Sequence, residues 1–322
     1  MHRIIRPAPL VLLSTPEIKI ARPLTEVDQL KEDLKDHQSY LKNKIEKQVT
    51  GYEKADITKI HQRYGYIITP LNTAVTIPNG TNLPANHISL GTTRGVIRSQ
   101  YPTVDGVDVF KAMLAEKRVT ILVVIADNNM LDNPLGEYNS PHPPYFKDGG
   151  IKKQFISKPV NDIDCYEMKL KDTKNKTIPI NVAHIKNWRD HTALGVNEIK
   201  ELAEIITNLH ERALANFKKQ GSKAVGIEGK TLPVIHCSAG VGRTGQLIAA
   251  MELINPDSTL SLESIIKILR EQGGYKMVQT GDQMDALFEL AQMCGKPLWI
   301  KDEQPQRTLQ PRASTSYSKP LI

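Results

Sequence analysis

The chain has 322 residues, 40% hydrophobic and 24% charged, a globular balance able to bury a core without disulfide or metal staples. Its three cysteines, Cys165, Cys237 and Cys294, form no CxxC pair and no Cys/His cluster, which excludes a disulfide framework and a zinc site and fits a reducing compartment. Lys and Arg exceed Asp and Glu by 42 to 35, or +7, but they are scattered, so a mixed solvated surface is expected rather than a nucleic-acid-binding one.

In chain order, residues 1–23 carry Pro7, Pro9, Pro16 and Pro23 and are expected to be irregular. The opening MHRIIRPAPLVLLS is broken by two prolines and lacks a small-residue cleavage site, so no Sec-type signal peptide is expected. No apolar run reaches the roughly 18 residues a membrane span needs. From Thr25 to about Val49, Val27, Leu30, Leu34, Leu41, Ile45 and Val49 recur near helical spacing, which predicts an amphipathic helix packed on the main domain. Thr25 is its N-cap, with Asp28 completing an imperfect capping box.

Residues 51–119 read as short β-prone runs, Tyr66–Ile68 and Ala74–Ile77, among turns such as Pro78-Asn79-Gly80. Ile121–Ile125 is an uninterrupted apolar run, as in a strand buried on both faces. A loop rich in Asn and Pro, Asn128 to Pro144, precedes β-prone pieces near 151–158, 165–170 and 177–185. Helices are predicted from Asn197 to about Lys219, over Leu262–Glu271 and from Asp282 to about Met293. Residues 297–322 are rich in Pro, Ser, Thr and Arg without periodicity and are expected to be disordered. The folded domain is thereby placed at 24–296.

The segment that carries chemistry begins as an apolar strand, Leu232–Ile235, and runs into His236 and Cys237. A loop with Gly240 and Gly242 then leads through Arg243 into an apolar helix. A helix N-terminus presents N–H groups without intrahelical partners and a partial positive charge. A glycine-rich loop lets several amides face one small anion. Cys237 opens that loop, where an ionised sulfur is stabilised, and the planar Arg243 guanidinium can grip two phosphate oxygens. These parts describe a phosphate cradle with a nucleophile at its base. A structural cysteine beside a tight turn is the plainer alternative; a P-loop nucleotide site is excluded, because no GKS or GKT follows a glycine-rich loop.

Residues 236–245, His-Cys-Ser-Ala-Gly-Val-Gly-Arg-Thr-Gly, resemble the HCxxGxxR[ST]G signature of the cysteine-dependent protein tyrosine phosphatases at every fixed position. Asn187–His191 resembles the mobile loop carrying that family's general acid; this implies that Asp190 protonates the leaving tyrosyl oxygen and that Trp188 anchors the loop. Met277–Gln283 resembles the glutamine loop, which implies that Gln283, and secondarily Gln279, position the hydrolytic water. Gln62–Tyr64 resembles the phosphotyrosine loop, in which Tyr64 would stack on the substrate ring and deepen the pocket beyond the reach of phosphoserine. Leu83–Ile88 resembles the segment that follows, with His87 in place of a tyrosine. The wording from about residue 60 to 295 is most similar to the secreted tyrosine phosphatases that Gram-negative pathogens inject into host cells, as in Yersinia.

The resemblance implies a single α/β domain, a twisted, mostly parallel mixed sheet flanked by helices. It implies a cysteinyl-phosphate intermediate formed on Cys237, with Ser238, Ala239, Gly240, Val241 and Gly242 lining the phosphate. Thr244 would stabilise the departing thiolate, and His236 would order the cysteine backbone. No metal and no cofactor are required. The implied partners are host phosphotyrosine proteins and a secretion chaperone, with residues 1–23 as a type III secretion address. The protein would be a monomer, cytoplasmic before export and secreted into the host-cell cytoplasm. Two departures stand out: Arg189 replaces the usual proline of the acid loop, and residues 151–158 contain no acid where the family commonly has a Glu supporting the signature arginine. They suggest an alternative, a phosphotyrosine-binding pseudophosphatase or adaptor, against which the intact Cys, Arg, Asp and Gln set argues. A dual-specificity phosphatase is a third reading, against which Tyr64 argues.

Overall fold

The computed structural model describes residues 25–47, 52–91, 95–127, 142–147, 153–155, 163–172, 174–219 and 232–299. Its strands are β1 (Ala74–Thr76), β2 (Asn82–Ile88), β3 (Val96–Ser99), β4 (Ile121–Ile125), β5 (Lys153–Phe155), β6 (Ile163–Lys171), β7 (Thr177–Ile185) and β8 (Val234–His236). Its described helices are α1 (Glu26–Glu46), α2 (Val107–Glu116), α3 (Val196–Lys219), α4 (Gly242–Ile254), α5 (Leu262–Gly273) and α6 (Gly281–Met293). One sheet joins the strands in the order β1-β2-β3-β8-β4-β7-β6-β5. The central four, β3, β8, β4 and β7, are parallel, and antiparallel strands extend the sheet on both sides.

Period-two alternation divides the apolar residues between two cores. In β4, Ile121, Val123 and Ile125 face one core, and Leu122 and Val124 face the other. The first core takes residues of α3, α4, α5 and α6; the second takes Phe110, Met113 and Leu114 of α2. Both faces of the central sheet are therefore covered, which is why β4 reads as an unbroken apolar run. Helix α4 is buried almost all round, from Gly242 to Leu253. Its N-terminus consequently sits inside the molecule, at the C-terminal end of β8.

Helix α1 forms as expected, but its capping box is complete: the Asp28 amide donates to Thr25 Oγ1 at 3.2 Å and the Thr25 amide to Asp28 Oδ2 at 3.3 Å. It ends at Glu46 rather than Val49. Leu30 and Leu34 enter the first core, Leu41 and Ile45 pack with Tyr52, and Arg270 of α5 donates to the Leu34 carbonyl. The helix is thus a packing element of the domain.

Other boundaries shift by one or two residues: α3 starts at Val196, α5 runs to Gly273 and α6 starts at Gly281. The run Tyr66–Ile68 is not a strand. The Ile67 amide bonds the Tyr64 carbonyl at 3.0 Å and closes a turn through Gly65. Helix α2 and strands β2 and β3 lie in the stretch whose residues suggest only short runs and turns. The domain also extends past residue 296: the Leu262 and Glu263 amides donate to the carbonyls of Pro297 and Leu298, and Leu298 and Trp299 pack on the first core. Expectations for residues 1–23 and for the tail beyond Trp299 lie outside the described residues.

Candidate active site

Strand β8 delivers His236 and Cys237 to the centre of the sheet edge, and the chain turns through Ser238–Val241 into α4. The turn requires glycine at 240. Its φ is +72°, and a Cβ there would stand 2.1 Å from the Ser99 carbonyl oxygen. The bend aims the Gly240 N–H at Cys237 Sγ, 3.3 Å away. Cys237 is only 2% exposed, so this amide and the positive N-terminal end of α4 act on the sulfur in a low-dielectric setting. Thr244, one turn into α4, has a buried Oγ1 without a hydrogen-bond partner among the described residues. Val241 is buried, and its carbonyl accepts from Gly245 and from Val278 of the glutamine segment. Ala239 packs partly exposed against the first core.

Arg243 stands in the first turn of α4, almost wholly buried. Its Nη1 donates to the Trp188 carbonyl at 2.8 Å, and Nη2 pairs with Asp190 Oδ1 at 2.8 Å. The acid segment therefore lies over the arginine. Trp188 is buried and donates from Nε1 to the Thr192 carbonyl at 3.2 Å, and Thr192 Oγ1 donates to the Arg189 carbonyl at 2.7 Å. His191 adopts φ +57° to complete the turn. Arg189 itself is exposed. Trp188 and Asp190 thus both support Arg243.

The two glutamines are placed differently. Gln283 is buried and closes the capping box of α6: its Oε1 accepts from the amides of Gln279 at 2.9 Å and Thr280 at 3.2 Å. Its Nε2 donates to the Thr192 carbonyl at 3.1 Å, tying α6 to the acid segment. Gln279 is exposed, and its Oε1 lies 3.2 Å from where a Gly242 Cβ would stand. The absent Cβ leaves room for both glutamines at the cradle.

Tyr64 lies against the loop, 3% exposed, with its hydroxyl hydrogen-bonded to Ser238 Oγ. Ser238 Oγ also meets His142 Nε2 at 2.9 Å, and its carbonyl accepts from the Tyr101 amide. The exposed ring beside Tyr64 is Tyr66, 52% exposed, edge-on at 5.8 Å, with Lys276 Nζ 4.6 Å above it. His87, on β2, is partly buried.

His236 is buried between two fixed partners. Its Nδ1 faces the Cys237 carbonyl at 3.1 Å, an acceptor only, so Nδ1 carries the proton and Nε2 accepts from Tyr145 O–H at 2.7 Å. Burial depresses its pKa to about 3, and the imidazole stays neutral. Its Nδ1–H thereby bonds to the backbone at Cys237. The sequence does not single out Tyr145, His142, Tyr66 or a buried arginine on β3, Arg98. Each is an ordinary single residue far from the signature.

Burial also lowers His142 to about 3 and His184 to about 4, against an ordinary value of 6.5. In the unfolded chain all three histidines bind protons near pH 6.5; in the folded protein they do so only near pH 3 to 4. Stability is therefore full above about pH 6.5 and falls on acidification, by about 1.4 kcal/mol per pH unit for each histidine. Urea unfolding at pH 7 and pH 5 is expected to show this loss, and His184→Gln should flatten it. A stability unchanged or higher at pH 5 would contradict the assignment.

A family model for protein-tyrosine phosphatases matches residues 58–292. The chain belongs to the protein-tyrosine phosphatase family. Among curated members, tyrosine-protein phosphatase YopH of Yersinia pseudotuberculosis is 36% identical over 228 residues, covering 67% of this chain and 48% of that protein. Secreted effector protein SptP of Salmonella paratyphi A is 28% identical over 236 residues, covering 69% of this chain and 40% of that protein. The chain thus spans about half the length of these relatives or less. The catalytic domain of human protein tyrosine phosphatase non-receptor type 18 has the same fold, with a TM-score of 0.59 at 20% identity, covering 83% of this chain and 96% of that one. The Trypanosoma cruzi protein tyrosine phosphatase TcPTP1 superposes with a TM-score of 0.59 at 18% identity, covering 86% and 97%. Both structures share the phosphatase fold, a mixed sheet with a parallel centre and flanking helices. Among the described residues no group of three His, Cys, Asp or Glu is placed to bind a metal, and no helix is long and apolar enough to cross a membrane.

Proposed function

We propose that the chain hydrolyses phosphotyrosine on proteins through a cysteinyl-phosphate intermediate. The observation that supports this most is the convergence of Cys237, the Gly240 amide, Arg243 and Asp190 at one end of β8. In the first step the Cys237 thiolate attacks phosphorus and the P–O bond to tyrosine breaks. Asp190 gives its proton to the departing oxygen. Arg243 and the loop amides from Ser238 to Gly242 take up the charge spread over the three phosphoryl oxygens. In the second step Asp190 removes a proton from water, the water oxygen attacks phosphorus, and the S–P bond breaks toward Thr244 Oγ1. Gln279, exposed at the cradle, orients that water, whereas Gln283, bonded to its own helix cap and to the Thr192 carbonyl, fixes the loop that carries Asp190.

Tyr64 bonds to the Ser238 hydroxyl and Tyr66 stands exposed beside it, which supports a deep, aromatic-walled approach to the nucleophile. A phosphoserine side chain is too short to bring its phosphate past such a wall. With matched peptides, kcat/KM for phosphotyrosine is expected to exceed that for phosphoserine by about 10³ or more. Comparable values would overturn the specificity.

The similarity to a secreted effector of Salmonella and a tyrosine phosphatase of Yersinia supports a bacterial effector. Such a protein would be made in the bacterial cytoplasm, delivered by a type III system with a chaperone on its N-terminal segment, and act as a monomer on host signalling proteins. The intact catalytic set weighs against a phosphotyrosine-binding adaptor, which would bind phosphopeptides without turning them over.

A further inference from the structure

Arg98 lies on β3 with no exposed surface at all. Its Nη2 donates to the Ile68 carbonyl at 3.3 Å, while Nε and Nη1 have no hydrogen-bond partner among the described residues. A buried guanidinium is costly unless an opposite charge shares its surroundings. Register locates the candidate. Arg98 pairs with Ile235 across the parallel β3–β8 ladder, and Ile235 and Cys237 belong to the same core on the same face of the sheet. Register neighbours on adjacent strands project to one face.

Burial works against the Arg98 charge, and among the described residues Tyr52 and Cys237 are the nearby groups whose ionised forms would offset it. Tyr52 is neutral: burial raises its phenol, whose hydroxyl donates to the Arg270 carbonyl at 3.2 Å. Asn86, the register partner on β2, has a buried Oδ1 also without a partner among the described residues, but an amide carries no charge. Of these described groups, the Cys237 sulfur is the one able to carry the balancing charge.

We propose that Arg98 is a positioning residue for catalysis, a buried cation behind the cradle whose field keeps the Cys237 sulfur ionised and ready to attack. It acts through the interior rather than through a hydrogen bond. The proposal rests on Cys237 being the nucleophile. The two arginines then have different roles, Arg243 meeting the substrate and Arg98 the sulfur.

The test compares Arg98→Met, which keeps the bulk, with Arg98→Lys, which keeps the charge. The rate of Cys237 alkylation by iodoacetamide, an uncharged probe, is measured at pH 6 beside kcat/KM on a phosphotyrosine peptide. Arg98→Met is expected to slow both by about tenfold, the effect of a one-unit change in a proton equilibrium, without lowering the melting temperature. Arg98→Lys should restore most of both rates. A folded Arg98→Met protein alkylated at the wild-type rate overturns the proposal, as does a Lys variant no better than Met. Should Arg98→Met fail to fold, Arg98→Gln replaces it; failure of both neutral variants makes the charge a structural need and also overturns the proposal. A wild-type protein that neither alkylates at Cys237 nor turns over the peptide defeats the nucleophile assignment instead, so the two failures are distinguishable.

Discussion

Cys237→Ser is expected to fold normally and to lose turnover of phosphotyrosine peptides by at least about 10⁴-fold in kcat. A serine oxygen fits the space that the sulfur occupies, 3.3 Å from the Gly240 amide, and the loop geometry rests on Gly240 and its neighbours rather than on sulfur. A hydroxyl does not ionise near neutral pH, so the cradle would hold a phosphate with nothing beneath it to attack. Binding should survive, because Arg243 and the amides remain. Residual turnover within a hundredfold of wild type would show that the phosphorus is attacked by another group.

Asp190→Ala is expected to lower kcat by about 10² to 10⁴ while leaving KM unchanged or lower. The split follows from the ion pair. Asp190 is 37% exposed and holds Nη2 of an arginine that is 1% exposed; its removal costs the general acid but releases a guanidinium N–H for phosphate. A variant of this kind keeps its substrate bound and should capture phosphotyrosine proteins from lysate. The decrease should be smaller on p-nitrophenyl phosphate, whose leaving group needs less protonation. An unchanged kcat on peptides would remove Asp190 from the mechanism.

What could be read from the residues in order differs from what could not, for physical reasons. The cradle is contiguous: strand, cysteine, glycines and arginine follow one another within ten positions, so backbone chemistry alone carries it. Helices α3, α5 and α6 show strong periodicity because one face of each is buried. Helix α2 is hard to see in the sequence because it is short and starts at Gly106 without a side-chain cap. Strand β3 is hidden because only Val96 and Ile97 are apolar and the polar Arg98 and Ser99 follow, although all four positions are buried. Tyr66–Ile68 carries β-prone side chains, but Gly65 permits a turn that tertiary contacts then fix. The roles of Tyr145, His142 and Arg98 depend on which strands and loops become neighbours in the folded sheet, and no spacing within the chain encodes that. The placement of the two glutamines is likewise decided in three dimensions, where Gln283 closes its own helix cap and donates to the Thr192 carbonyl.

The central claim is that phosphate passes through the sulfur of Cys237. Asp190→Asn incubated with p-nitrophenyl phosphate makes that passage visible, since the leaving group departs without an acid while hydrolysis of the thiophosphate lacks its base. After an acid quench, mass spectrometry of the digest should show one phosphoryl group on the peptide containing Cys237, and none when Cys237 is also replaced by Ser. Release of p-nitrophenol with that peptide unmodified throughout, or with the phosphoryl group on another residue, would contradict the mechanism.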